Sequence, residues 1–189
     1  MRNNKYLFLI TLVFFALGFI NIHLALLGLA CMVLPLVLLF LDKRKTWCQG
    51  FCPRASLYTT CGKLTAKHSR KTPLFFIKGN MKWIMLAYFG VSLFIIIMST
   101  IKVASGSISS MNYLRFLLMI PLTGEMPQLI EFTNITPWVT HLSYRFYSMM
   151  MTTTFLGFLL ALIYKPRTWC TICPIATISE AYINKSNKD

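Results

Sequence analysis

The 189-residue chain is poor in acid: Asp42, Glu125, Glu131, Glu180 and Asp189 are its only carboxylate side chains, against 19 Lys and Arg. No two of them make a convincing pair for acid–base work, which argues against hydrolytic chemistry of that kind. Glycine is also sparse, with nine residues, and none sits in a loop able to cradle a phosphate. Histidine occurs three times, at positions 23, 68 and 141. His68 stands in a basic stretch without a partner and is assigned nothing. Charged residues of both signs make up only 13% of the chain, too few to clothe an ordinary soluble domain.

Apolar sequence fills the space those groups leave, at 56% of residues. A helix crossing a bilayer needs about 20 mostly apolar residues. Four segments approach that: Tyr6 to Ile20, Leu24 to Leu41, Trp83 to Val103, and Tyr147 to Tyr164. The first two are separated only by Asn21, Ile22 and His23, which predicts a tight helical hairpin, because one straight helix of that length would overshoot the membrane. The expected fold is therefore an all-α integral membrane protein of four transmembrane helices in one domain, residues 1–189. Arg2 and Lys5 before an apolar run also fit a signal peptide, and "GLAC" hints at a lipoprotein cleavage site. Cys31 leads straight into another spanning run instead, so it is read as a small buried hydrophobe inside the second helix.

The net charge of +14 is unevenly placed. Ten Lys and Arg lie between Asp42 and Lys82, and Lys165, Arg167, Lys185 and Lys188 follow the last span; residues 104–142 hold one basic residue, Arg115, with Glu125 and Glu131. Cytoplasmic loops collect Lys and Arg. Both termini and the loop of residues 62–82 are thus placed in the cytoplasm, and the loop of residues 104–146 outside. The chain is assigned to the cell inner membrane. Nucleic-acid binding is the rival reading of such charge, but topology alone explains cations that flank spans, and adhesion to anionic membrane lipid follows from it. "KHSRKTPLFFIKGNMKW" (Lys67 to Trp83) reads as such a lipid-surface segment.

Four of the six cysteines fall into two phrases. "KTWCQGFCPRA" (Lys45 to Ala55) supplies Cys48 and Cys52, and "RTWCTICPIA" (Arg167 to Ala176) supplies Cys170 and Cys173. Each phrase follows a pair of apolar segments, so duplication is the simplest account: residues 6–61 form a hairpin plus motif, and residues 83–182 form a second. Related halves usually pack about a pseudo-twofold axis, which would gather both cysteine pairs in one place. Reduced thiols at close spacing read as metal ligands or a redox dithiol. The proline after each pair matches the Cys-Pro ending of ferredoxin cluster-binding runs and suits the first turn of a helix. Free N–H groups there favour an anionic iron–sulfur cluster, and Lys43, Arg44, Lys45, Arg54, Lys165 and Arg167 are expected to depress the thiol pKa values. Zinc on the same four thiols, stapling a membrane scaffold or transporter subunit, is a distinct alternative. So is a thiol-based metal carrier or sensor in which Cys61, a possible additional ligand, is exchangeable. Trp47 and Trp169 either shield a cluster or anchor the bilayer interface.

These phrases resemble the membrane ferredoxin-type family that includes NapH, NosR and CcoG. Members carry Trp-Cys, three residues, then Cys-Pro after a membrane helix, usually twice. Trp47, Cys48, Cys52 and Pro53 follow that pattern, and Trp169, Cys170, Cys173 and Pro174 follow it with one residue fewer between the cysteines. The resemblance implies a 4Fe–4S cluster and electron transfer at or across the cytoplasmic membrane. The eight-cysteine double-cluster runs that many relatives add have no counterpart in these residues. The expected partners are a cytoplasmic electron donor and a quinone or extracytoplasmic redox protein. His23 and His141, both near the outer face, are candidates to hold a haem or touch a quinone, although isolated histidines at helix ends are usually ordinary polar residues. Tyr113 to Ile120 is expected to form a short interfacial helix ended by Pro121. Asn134-Ile135-Thr136 fits a glycosylation pattern but precedes a proline and is read as a chance match.

Overall fold

The computed structural model describes residues 6–64, 70–78, 80–117, 120–125, 128–129 and 135–186. His68 and Asn134 lie outside them. In chain order the helices are α1 (Leu7–Ile20), a 3-10 helix (Ile22–Leu27), α2 (Gly28–Asp42), a π-helical turn (Trp47–Phe51), α3 (Pro53–Leu64), α4 (Leu74–Lys78) and α5 (Met81–Ala104). Strands β1 (Tyr113–Phe116) and β2 (Ile120–Glu125) precede α6 (Pro137–Ile163), α7 (Thr168–Ile172) and α8 (Pro174–Ser186). The protein is mostly helical. Three stretches are long and apolar enough to cross a membrane: Ile22–Asp42, Met81–Ala104 and Pro137–Ile163. At 14 residues, α1 rises only about 21 Å, short of a hydrocarbon core about 30 Å thick. On α5, Ile84, Val91, Phe94, Met98 and Ile101 are exposed at helical spacing, a face suited to lipid.

The chain divides into two compact units. One comprises residues 12–30 and 90–154. Within it, Asn21 adopts an extended conformation (φ −153°, ψ 125°) that ends α1, and its side-chain oxygen accepts the His23 backbone N–H at 2.9 Å. The chain turns back there, because Phe14 of α1 packs where a Cβ on Gly28, the first residue of α2, would sit. Ile22, Ala25, Met111, Leu114, Tyr144 and Tyr147 form the core of this unit.

Two expectations change in this unit. Residues 113–117 do not form a helix: β1 and β2 pair antiparallel, with Arg115 opposite Pro121 and Phe116 opposite Ile120. The N–H groups of Arg115 and Leu117, two residues apart, donate to Ser148 Oγ (3.1 Å) and Thr152 Oγ1 (3.4 Å), one turn apart on α6. A strand presents alternate N–H groups to one side, so this pairing selects the extended backbone over the helix. The last span also begins ten residues before Tyr147, at Pro137, where a proline costs no hydrogen bond. His141 and Ser143, polar residues of the added turns, are buried in protein.

The other unit comprises residues 1–11, 31–89 and 155–189. Its core is Tyr58, Ala161, Trp169 and Ile172, with Cys173 packed against it. The segment after residue 69 is tied down by Arg70 N–H donating to Ile163 O (3.0 Å) and by a Thr72–Thr168 hydroxyl contact (3.0 Å). Phe76 packs on Tyr164, and Lys82 pairs with Glu180 at 3.5 Å.

Candidate metal centre

The two cysteine phrases fold alike. In the first, a helical turn over Trp47–Phe51 closes with Cys52 N–H donating to Trp47 O (3.0 Å). Cys52 is extended (φ −71°, ψ 112°), and α3 starts at Pro53. In the second, the short α7 is followed by an extended Cys173 (φ −62°, ψ 130°), and α8 starts at Pro174. Proline forces the residue before it out of the helical region and itself fits the first helical position. Each Cys carbonyl then accepts the first bond of its new helix, from Ser56 N–H at 3.3 Å and from Thr177 N–H at 3.0 Å. The second cysteine of each pair is therefore a helix N-cap. Its sulfur lies where backbone donors point and the dipole favours negative charge. At Cys173 the arrangement is realised: its sulfur takes hydrogen bonds from the backbone N–H groups of Ile175 and Ala176.

Small residues bring the phrases together. A Cβ on Gly62 of α3 would lie 2.7 Å from Pro166 Cβ, just before the second motif, and Arg167 Nε donates to Thr59 Oγ1 (3.3 Å). A Cβ on Gly157 of α6 would lie 2.4 Å from the Tyr58 hydroxyl and 3.0 Å from Trp169 Cγ. With α3 packed on the second motif, the four thiols become electrostatic neighbours. The Cys48 thiol is pushed up to about 12, first by burial and then by Cys173 and Cys52. Cys170 also rises to about 12, through burial and then Cys52, Cys173 and Cys48. Burial likewise raises Cys173, with Cys52 adding to it.

The direction corrects the expectation of acidic thiols. Lys45 acts to lower Cys48, Arg167 to lower Cys170 and Arg54 to lower Cys173, yet burial outweighs them. Buried thiols this close hold their protons until a cation replaces them. Among the described residues, no three His, Cys, Asp or Glu side chains stand in an arrangement that holds a metal ion.

Cys61 lies nine residues beyond Cys52 on α3, and burial raises its pKa. No acting thiol other than Cys48, Cys52, Cys170 and Cys173 figures in the shifts of Cys48, Cys170 and Cys173. Trp169 is buried against Tyr58 in the core, whereas Trp47 is half-buried. Two neighbours were not evident from sequence. Cys31, eleven residues before the end of α2, lies within electrostatic reach of Cys52 and Arg54, so the first motif folds back along the helix it follows. Tyr58, 1% exposed, lies within reach of Cys52, Cys170 and Cys173. Its signal was present in the pattern: Ala55, Tyr58 and Gly62 share one face of α3 at spacings of three and four.

Neither candidate histidine has a free ring nitrogen. His23 Nδ1 donates to Asn21 Oδ1 (2.8 Å), which leaves Nε2 to accept from the Thr140 hydroxyl (3.1 Å). His141 Nδ1 accepts the Met111 N–H (3.2 Å), and Nε2 donates to Ser99 Oγ (3.2 Å). Both rings serve as structural cross-links.

No curated protein and no solved structure matches the chain. Residues 24–72 and 147–188, just under half of the chain, match the model of a 4Fe-4S binding domain. The first stretch carries Cys48 and Cys52, and the second carries Cys170 and Cys173. Four neighbouring thiols, two at helix N-caps, are a donor set of the right chemistry for such a group, and the match supports a place among 4Fe–4S ferredoxin-type proteins.

Proposed function

We propose that this is a membrane-bound electron-transfer protein of the NapH/NosR/CcoG kind, holding one 4Fe–4S cluster on Cys48, Cys52, Cys170 and Cys173. It passes electrons between a cytoplasmic donor and either a quinone or an extracytoplasmic redox partner. The observation that carries this reading is the pairing of two Cys-Pro N-caps in the two stretches that match a 4Fe-4S binding domain. Mutual electrostatic coupling of the thiols supports one shared centre rather than two. On this reading α1 joins α2 as the first hairpin of a duplicated design, and the motifs and both termini face the cytoplasm.

A bound cluster would supply one-electron chemistry. The chain's own residues bind and insulate it. Cys48, Cys52, Cys170 and Cys173 lose their protons to become ligands, and the α8 N–H groups already aimed at Cys173 stabilise the sulfur's negative charge. Lys45, Arg54 and Arg167 offset the anionic charge of the loaded site. Tyr58 and Trp169 exclude water from one side. A bilayer core about 30 Å thick is too wide for one efficient electron step, so a partner or a membrane quinone must approach the centre.

The test is anaerobic purification of the full chain, with assays for iron, acid-labile sulfide and zinc, and a visible spectrum before and after dithionite. About four irons and four sulfides per chain, with a spectrum that bleaches on reduction, are expected. A colourless protein with stoichiometric zinc would overturn the assignment.

A further inference from the structure

The unit of residues 12–30 and 90–154, which holds none of the four cysteines of the candidate centre, contains two arginines brought together by the fold. Arg115 lies on β1 and Arg145 on α6. The Arg115 backbone N–H donates to Ser148 Oγ, three residues beyond Arg145 on the same helix. The two side chains are within electrostatic reach of each other, and Tyr113 is within reach of Arg145. The Arg115 guanidinium stacks 5.1 Å from the centre of the Tyr113 ring and donates through Nη2 to its hydroxyl. In both arginines the Nε–H is shut off from solvent and makes no hydrogen bond to the described residues.

Two partly buried like charges repel each other, and each buried N–H without an acceptor forfeits its solvation. Something must offset that. His141, one turn before Arg145, does not: both of its ring nitrogens are engaged by Met111 and Ser99. No acidic side chain of this unit falls among the described residues. Glu125, whose backbone pairs with Tyr113, and Glu131 have side chains outside them.

The geometry points to a binding site for a phosphate-type oxyanion, formed by Arg115 and Arg145 with the Tyr113 hydroxyl at its edge. Guanidinium groups arriving from a strand and from a helix match a tetrahedral anion with three or more acceptor oxygens and a charge of −1 to −2. Such a group reaches a membrane protein either as the headgroup of an anionic phospholipid or as free phosphate.

Native mass spectrometry of the full chain, purified in detergent, tests this with phosphatidylglycerol against phosphatidylcholine. Thermal unfolding with inorganic phosphate against chloride at equal ionic strength supplies the second arm. The wild type is expected to retain phosphatidylglycerol selectively, or to be stabilised by phosphate, and the arm that responds identifies the source. Arg115→Gln and Arg145→Gln should each weaken that ligand at least about tenfold, the loss of one charged hydrogen-bonding partner. Lys102→Gln, which removes a cation from the last turn of α5, should leave it unchanged. Arg145→Lys keeps the charge but loses the fork, and should bind with intermediate affinity even if the glutamine variants fail to fold. Equal binding by the wild type and Arg145→Lys, or no response to either ligand, would overturn the proposal. So would affinity that emerges only in Glu125→Gln or Glu131→Gln, because the guanidiniums would then be internally paired.

Discussion

Replacing Gly157 by alanine should destabilise the protein through one contact. The added Cβ would sit 2.4 Å from the Tyr58 hydroxyl oxygen, 2.5 Å from Tyr58 Cζ and 3.0 Å from Trp169 Cγ. Non-bonded heavy atoms settle at about 3.5–4.0 Å, so the Tyr58 ring must retreat by about 1 Å. It has little room, since Tyr58 is 1% and Trp169 4% exposed. Overpacking of this kind costs about 1–3 kcal/mol. Alanine returns about 1 kcal/mol over glycine inside a helix, which leaves a net loss of up to about 2 kcal/mol, a factor of up to about 30 in the folded-to-unfolded ratio. Gly90→Ala is the internal control. Gly90 is also helical, on α5, but nothing lies within 4 Å of its added Cβ, so only the propensity gain remains. Thermal unfolding of both variants in one detergent isolates the overlap as their difference. Iron content should fall with Gly157→Ala, because Tyr58 borders Cys52, Cys170 and Cys173. A Gly157→Ala variant as stable as Gly90→Ala would show that Tyr58 does not pack against α6 as described.

Three other outcomes are expected. Serine at any one of Cys48, Cys52, Cys170 or Cys173 should abolish stoichiometric iron and sulfide, whereas Cys61→Ser should retain both; chemical analysis of the five variants decides whether Cys61 is a ligand. In cluster-free protein, Cys48 and Cys170 have folded-state values raised from 9.0 to about 12, so their contribution is complete below pH 9 and lost as pH rises towards 12. Chemical denaturation across that window should show the decline, and it should flatten when both residues are serine. Finally, a cysteine introduced at Ser107, just beyond α5, should react with a membrane-impermeant reagent added to intact cells; reaction only after lysis would reverse the proposed orientation.

The sequence alone determined the features that depend on local chemistry. Long apolar runs specify helices wherever they fall, and a proline after a cysteine starts a helix with that sulfur at its cap. Hence α2, α5, α3 and α8 were legible, as were the four candidate ligands and the turn at Asn21. The rest depended on groups distant in sequence. Residues 113–116 form a strand because hydroxyls of α6 accept their alternate N–H groups, and α6 could begin at Pro137 because His141 and Ser143 are enclosed by protein. The second cysteine phrase packs against α3, the helix that follows the first, because Gly62 and Gly157 leave room for Pro166 and Tyr58. The same packing reversed the expected acidity of the thiols: nearby cations can be counted along the chain, but burial is set by the side chains that close over each sulfur.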